Sequence, residues 1–304
     1  MRLNRLDLNL LIALDALLSE RSITRAAERI FLSQSATSGA LSRLREFFGD
    51  EILVRVGAQM MLTPLGESLV APVQNILLQI QSMVDRGLDF EPNHSDRKFR
   101  ILCSDYAVNT IINPLVLHLA KVAPNVQLEL FMPTNNLKET LDQGNVDFLL
   151  MPTYLLFDDH PKMSLFQEGF VCMGWNENPI LTEGITEENF LKAKHVSVRF
   201  GPTRQRSQDQ VLLETEFGVI PQVEIVTANF SVIPPMLVGT HRIAVCSERM
   251  AESWVRLLPL KTSPVPFDLP KISWGLQWHK FRELDPGIQW LQSQLSFIAG
   301  QLSK

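Results

Sequence analysis

Between Ser22 and Arg45 the chain reads S-ITRAAERI-FLS-QSATSGALSRLR, a stretch that leaves little freedom in how it folds. Ser22 is placed to cap a short helix with Ala26, Ala27 and Ile30 on one face and Arg21, Arg25 and Arg29 off it. Phe31-Leu32 is too short to join distant elements and reads as a tight turn. Ser33 then caps a second helix whose apolar positions Ala36, Ala40, Leu41 and Leu44 recur at helical spacing. Its other face carries Gln34, Ser35, Thr37, Ser38, Ser42 and Arg43. Two short helices joined this tightly cross steeply, which leaves the second free to enter a DNA major groove. The small side chains of Ala26 and Ala27 allow the close approach. The competing reading is an ordinary helical hairpin inside a core.

The flanks extend the pattern. Leu6, Leu10, Leu11, Leu14, Leu17 and Leu18 form the apolar stripe of a preceding helix on which the pair can pack. GDEILVRVGAQMMLTP reads as a β hairpin around Gly57 with Arg55 on its rising arm, a small wing placed to touch DNA backbone or minor groove. Thr63-Pro64, with Glu67 in the first turn, opens a long helix running to about Leu88. Its apolar positions Leu69, Val73, Ile76, Ile80, Met83 and Gly87 follow a 4-3-4-3-4 spacing. That heptad period implies pairing with the same helix of a second subunit, the alternative being packing on its own protein. The polar EPNHSDRK segment, 91–98, reads as a hinge.

From Phe99 onward strand-like and helix-like segments alternate, which argues for mostly parallel sheets covered by helices. The expected strands are 99–103, 126–131, 146–151, 169–174, 195–198, 222–226, 243–246 and 271–278. The expected helices are 109–122, 137–143, 187–192, 205–217, 230–237, 248–254 and 286–299. Two sets of β/α units with a late strand and helix left over suggest two subdomains, the chain crossing out near 165 and returning near 264. The reading is therefore a winged helix-turn-helix over 1–63, a linker helix over 64–90, a hinge over 91–98 and an α/β domain over 99–304. Within that domain the first subdomain takes 99–165 and 264–304, the second 166–263. Ligands of such folds sit at the carboxyl ends of the strands.

Charge and motif content narrow the function classes. The net charge of −5 excludes a protein that coats polyanions, so any nucleic-acid contact is local. Residues 1–60 hold eight Arg against seven acids, and the first lysine of the chain is Lys98. Arginine's planar fork suits phosphate and guanine edges. Cys103, Cys172 and Cys246 are far apart in apolar runs and form no CxxC pair, so neither a disulfide framework nor a zinc ribbon is expected. No GxGxxG, P-loop, GxSxG or HExxH is present, and the six histidines lack metal-ligand spacing. The expectation is no enzyme, no metal and no cofactor. With no signal core and no apolar run of about 20 residues, a cytoplasmic protein without a membrane partner is expected.

The segment S22-x-T24-x-A26-A27, S33-Q34-S35-A36-x-S38, R43-L44, R55 and T63-P64-x-G66 resembles the DNA-binding signature of LysR-type transcriptional regulators. The order of elements agrees over essentially all 304 residues. L6-D7-L8-N9-L10-L11, R43-L44-R45, A123-P124, G144-x-V146-D147, V171-C172-M173 and W278-H279 resemble the branch of nodulation regulators and regulators of aromatic and chloro-aromatic degradation. The resemblance implies a DNA-binding activator with an α/β effector domain of two Rossmann-like subdomains, similar to periplasmic binding proteins. It implies homodimers and homotetramers, contact with RNA polymerase and a double-stranded promoter site of T-N11-A type. Base-reading contacts fall on Gln34, Ser35 and Ser38, with Arg43 and Arg55 toward the backbone. Ser22, Thr24, Thr37 and Ser42 belong to the same candidate surface. Two departures stand out: Ser35 where many members carry Pro, and Gly39 where many carry a basic residue.

The resemblance also implies a small effector in the cleft, here expected to be aromatic or chloro-aromatic. The candidate contacts are Ser104, Tyr106 and Asn109 after the first effector strand and Thr153 after Met151-Pro152. Phe200, Thr203 and Arg204 follow in the second subdomain, then Asn229 and Phe230 at an expected helix start whose N–H groups would favour an anion. Aromatic-responsive relatives carry a histidine near His195 or Asn229. Two other readings stand beside this one. One replaces the ligand by oxidation of Cys103, Cys172 or Cys246. The other is a ligand-binding or enzymatic α/β domain with an accessory N-terminal domain.

Overall fold

The computed structural model describes residues 7–85, 89–200 and 205–302; Leu6, Gly87, Thr203 and Arg204 lie outside the described residues. The chain divides into two compact units, one taking Met1–Leu88 and Asp142–Gly144, the other Asp89–Leu141 and Asn145–Lys304.

The first unit runs α1 (Asn9–Glu20), α2 (Ile23–Arg29), α3 (Gln34–Phe48), β1 (Leu53–Val56), β2 (Gln59–Leu62) and α4 (Pro64–Asp85). Leu10, Leu14 and Leu17 of α1 meet Ala26 of α2, Ala40, Leu41 and Leu44 of α3, and Val73 of α4 in one core. A fully buried leucine contributes about 1.5–3 kcal/mol, so α1 anchors the pair it precedes. Ser22 and Ser33 cap α2 and α3, accepting from the N–H groups of Arg25 and Ala36. The turn between them is a Schellman closure. Leu32 N–H donates to the Ala27 carbonyl and Phe31 N–H to that of Glu28, with Phe31 in the left-handed region at φ 55°. β1 and β2 pair antiparallel in register Val56↔Gln59, turning at Gly57 with φ 63°. The Thr63 hydroxyl accepts from Gly66 N–H at the start of α4 and donates to Asp50. No side chain larger than hydrogen fits at Gly66, where a Cβ would lie 2.5 Å from the Ile52 carbonyl oxygen.

Two expectations change here. The inward face of α3 is Thr37, Ala40, Leu41 and Leu44, and Ala36 is exposed. The stripe on α4 is split: Leu69 and Val73, with neighbouring Leu77, pack on the unit's own core, while Ile76 and Met83, with neighbouring Val84, are exposed.

The second unit opens with β3 (Lys98–Cys103), α5 (Asp105–Ala107), a π turn over Val108–Ile112, α6 (Asn113–Val122) and β4 (Gln127–Phe131). Next come α7 (Leu137–Asp142), β5 (Phe148–Pro152), β6 (Lys162–Glu168), β7 (Phe170–Trp175), α8 (Pro179–Thr182) and α9 (Glu187–Lys192). β8 (Lys194–Phe200), β9 (Gln205–Arg206), α10 (Gln208–Phe217), β10 (Gln222–Thr227), α11 (Ile233–Leu237) and β11 (Ile243–Ser247) follow. The unit closes with α12 (Glu248–Val255), β12 (Leu260–Pro264), β13 (Ile272–Trp278) and α13 (Pro286–Leu302).

Its strands form two sheets, β4-β3-β5-β13-β6 and β10-β8-β11-β7-β12, with β9 beside β8. Both are mixed rather than mostly parallel: β13 runs antiparallel to β5 and β6, and β7 antiparallel to β11 and β12. The chain passes between the sheets from Glu168 to Phe170 and again from Pro264 to Ile272. β6 and β12 are strands that the sequence reading did not place, because the polar positions in KMSLFQE and LKTSP mask an edge strand. The first sheet is locked to α13 by Arg97, whose guanidinium forks onto the buried Asp285 carboxylate at 2.6 and 2.6 Å. Asp285 also caps α13, accepting from Gly287 and Ile288 N–H. No helix among the described residues is long and apolar enough to cross a membrane.

Candidate DNA-reading helix and ligand cavity

Turning Thr37 inward decides what α3 presents. Thr37 is fully buried and its hydroxyl donates to the Ser33 carbonyl, so of the expected DNA contacts it faces the core rather than a groove. Gln34, Ser35, Ser38, Ser42 and Arg43 are exposed along the opposite face, as are Thr24 on α2 and Arg55 on the wing. Gly39 lies on that face with open space around it. Ser22 is half-buried and occupied as a cap. The arginines divide by task. Arg45 ties the end of α3 to the wing, donating to the Glu51 and Leu53 carbonyls at 2.9 and 2.7 Å. Arg25 and Arg29 pair with Glu20 and Asp15. Arg43 has one long, exposed contact with Asp7 at 3.5 Å, a pairing of little energetic weight that a phosphate can replace. Arg55 donates to the carbonyl at the hairpin tip, Gly57.

In the second unit the parallel strands end, and the antiparallel ones begin, around a cavity of about 810 Å³ counted with its open mouth. β3 contributes Ser104 and Tyr106 beyond its end, β5 contributes Met151 and Pro152, β8 contributes Phe200, and β11 contributes Val245, Cys246 and Ser247. Phe170 opens β7, and Ile272 and Trp274 open β13, at the same rim. The walls are aromatic. Tyr106 stacks on Trp274 with centroids 4.8 Å apart, and Phe230 meets Phe200 at 5.1 Å and Tyr106 at 6.1 Å. The Tyr106 hydroxyl donates to the buried Glu168 carboxylate, so the cavity is offered the ring and not the hydroxyl. Burial pushes the Glu168 carboxyl above its ordinary range, against the Tyr106 hydrogen bond and the Arg249 charge.

Four of the nine expected ligand residues, Ser104, Tyr106, Phe200 and Phe230, line this cavity. Asn109 is exposed on the π turn, donating to the Asp105 carbonyl. Thr153 is half-buried with its methyl toward Gly275. Asn229 is exposed in a turn whose backbone bonds to the Thr227 hydroxyl. The expected anion site at Asn229-Phe230 is overturned. α11 begins only at Ile233, its first turn carries Pro234 and Pro235, and the free donors of Ser231 are taken by the Asp105 carboxylate at 2.7 and 2.8 Å. His195 is core: its Nε2 lies 3.0 Å from the Phe190 carbonyl, and burial lowers its proton affinity. All three cysteines are free and buried, and burial pushes the thiols of Cys103 and Cys172 up to about 12, away from the reactive thiolate. Asp209, Trp274 and Tyr154 line the cavity without having been anticipated. Nothing in SQDQ or KISWGLQW marks Asp209 or Trp274, which reach the rim from segments remote in the chain, whereas Tyr154 directly follows the expected Thr153.

Residues 8–67 match the family of bacterial regulatory helix-turn-helix proteins of lysR type, and residues 92–296 match the LysR substrate binding domain. Nodulation protein D 1 of Mesorhizobium japonicum is 40% identical over 304 residues, 100% of this chain and 96% of that protein. The chain belongs to the LysR family. As a LysR member it is a DNA-binding transcriptional regulator with a C-terminal substrate-binding domain, in a family of regulators rather than enzymes. A probable transcriptional regulator from Pseudomonas aeruginosa shares 28% identity and a TM-score of 0.68, covering 97% of this chain and 98% of its own. Full-length CbnR in complex with its target DNA gives a TM-score of 0.61 at 14% identity, over 97% and 99% of the two chains, a likeness of fold.

Proposed function

We propose that this LysR-type regulator is an activator whose promoter binding is set by a small aromatic or chloro-aromatic effector held in the cavity of the second unit. The observation that carries the reading is the aromatic wall of Tyr106, Trp274, Phe230 and Phe200 at the rim where both sheets end. A site with an aromatic wall and a mainly apolar lining surface takes a flat, weakly charged ligand. The similarity to nodulation protein D supports the same branch. On the DNA side, Gln34, Ser35 and Ser38 read bases, Arg43, Arg55, Ser42 and Thr24 hold the backbone, and the target is a T-N11-A-type site. The exposed Ile76, Met83 and Val84 of α4 support pairing of linker helices into a homodimer, with the homotetramer as the working assembly contacting RNA polymerase in the cytoplasm. The functional divisions are 1–63 for DNA, 64–90 for pairing, 91–98 as hinge and 99–304 for the effector. The ligand acts by differential affinity for two arrangements of the assembly.

The test is an electrophoretic shift titration with promoter DNA, with and without chlorinated phenols, hydroquinones and flavonoids. A specific shift whose mobility or footprint changes with one compound is expected. A specific shift indifferent to every compound, but sensitive to peroxide, would replace the ligand by cysteine chemistry.

A further inference from the structure

The cavity just described has a mainly apolar lining surface, yet one of its lining groups is an acid. Among the described lining residues Asp209 is the one acid or base of the Asp, Glu, Lys, Arg and His kind; the others are aromatic, aliphatic, sulfur-bearing, hydroxyl or amide. Asp209 sits in the first turn of α10 and is itself buried, so its carboxylate is inside the site and not at the surface above it. Its donors on the protein are the Ser207 hydroxyl and the N–H groups of Asp209 and Gln210. A carboxylate offers about four lone-pair sites, so three donors leave it acceptor capacity for a ligand. The one place where an anion-binding turn was expected, after β10, is closed by Asp105.

From this arrangement we infer that Asp209 is the specificity-determining residue of the effector site. It accepts a hydrogen bond from an O–H or N–H donor on an uncharged aromatic ligand, and it excludes aromatic carboxylates. The inference rests on the cavity being the effector site. The physical reason is the medium. In a water-poor, aromatic-walled space a fixed carboxylate rewards a donor with a charge-assisted bond. A second carboxylate beside it would be repelled by Asp209 and would meet no counter-charge among the described lining residues.

The experiment is isothermal titration of the full-length chain with three probes on one ring skeleton: a naphthol, its methyl ether and the corresponding naphthoate. The naphthol is expected to bind about tenfold or more tighter than the ether, which lacks the donor, with the naphthoate weakest. In Asp209→Asn, which keeps the side-chain shape, the naphthol–ether difference should shrink severalfold and the naphthoate should gain affinity. Naphthoate binding as tightly as naphthol to the unaltered chain would overturn the assignment and leave the cavity as an effector site. Unchanged discrimination in a folded Asp209→Asn protein would do the same. No binding by any of the three would remove the aromatic-effector reading together with the inference.

Discussion

Phe31 and Asp209 are two residues that sit uncomfortably in this fold. Phe31 occupies the left-handed closing position of α2, where a side chain costs about 1 kcal/mol or more, and its ring is 96% exposed. Phe31→Gly should therefore raise the stability of the first unit by about 1 kcal/mol, read as a higher urea midpoint at unchanged slope. A lower midpoint would mean that the ring makes a contact worth more than the strain. Asp209 is the opposite case, a buried carboxyl whose desolvation outweighs its three donors and pushes it up to about 6 from 3.8. A group that holds its proton more tightly when folded contributes stability below about pH 4, and that contribution is lost as pH rises through about 6. Asp209→Asn should flatten the stability profile between those values and raise stability at neutral pH by about 1–3 kcal/mol. Equal pH dependence in the two proteins would show that the carboxyl is solvated.

Among the elements, α3 has two distinct faces. Thr37, Ala40, Leu41 and Leu44 hold it to the unit, and Gln34, Ser35, Ser38, Ser42 and Arg43, the contacts proposed for DNA, are exposed. Because the faces are separate, changes on the outer one should spare folding. Arg43→Ala should weaken binding to all DNA and reduce the salt slope by about 1, the signature of one lost phosphate contact. Gln34→Ala should instead relax sequence preference at an unchanged slope, by about 1–3 kcal/mol at one base pair. The checks are fluorescence anisotropy across a salt series for the first and a competition series of altered sites for the second. An unaltered slope would take Arg43 off the contact surface, and an unaltered preference would do so for Gln34.

At the scale of the whole molecule, α4 is the element on which the proposed pairing rests. Its inner residues Leu69, Val73 and Leu77 are covered by the first unit's core, but Ile76, Met83 and Val84 face solvent. Ile76 and Met83 stand seven residues apart on the heptad spacing that the sequence shows. Replacing both by Glu should convert a dimer to monomers in sedimentation velocity and abolish cooperative DNA binding, since two half-sites then no longer share one protein. A dimer of unchanged size would place the pairing surface elsewhere.

What the amino-acid order settled alone is whatever depends on neighbours a few residues apart. The caps at Ser22 and Ser33, the Phe31-Leu32 turn, the Gly57 hairpin and the Thr63-Pro64 helix start are local, and each was readable. So were most of the β/α alternations of the second unit and the family signature. The choice between Thr37 and Ala36 for the inner face of α3 was not, since a helical period leaves the phase of a short stripe open by one residue and packing on α1 decides it. Nor were the edge strands β6 and β12, whose place depends on partners more than a hundred residues away in β13 and on the antiparallel β7. The cavity was legible in part, at Ser104, Tyr106, Phe200 and Phe230, and its closure belongs to the tertiary structure. Ser104, Met151, Phe200, Asp209, Phe230, Val245 and Trp274 come from separate segments and meet because the chain crosses twice between its sheets, bringing parallel strand ends and antiparallel strand starts to one rim. Sequence spacing reports which face of an element is apolar; only the crossing decides which faces look into the same space.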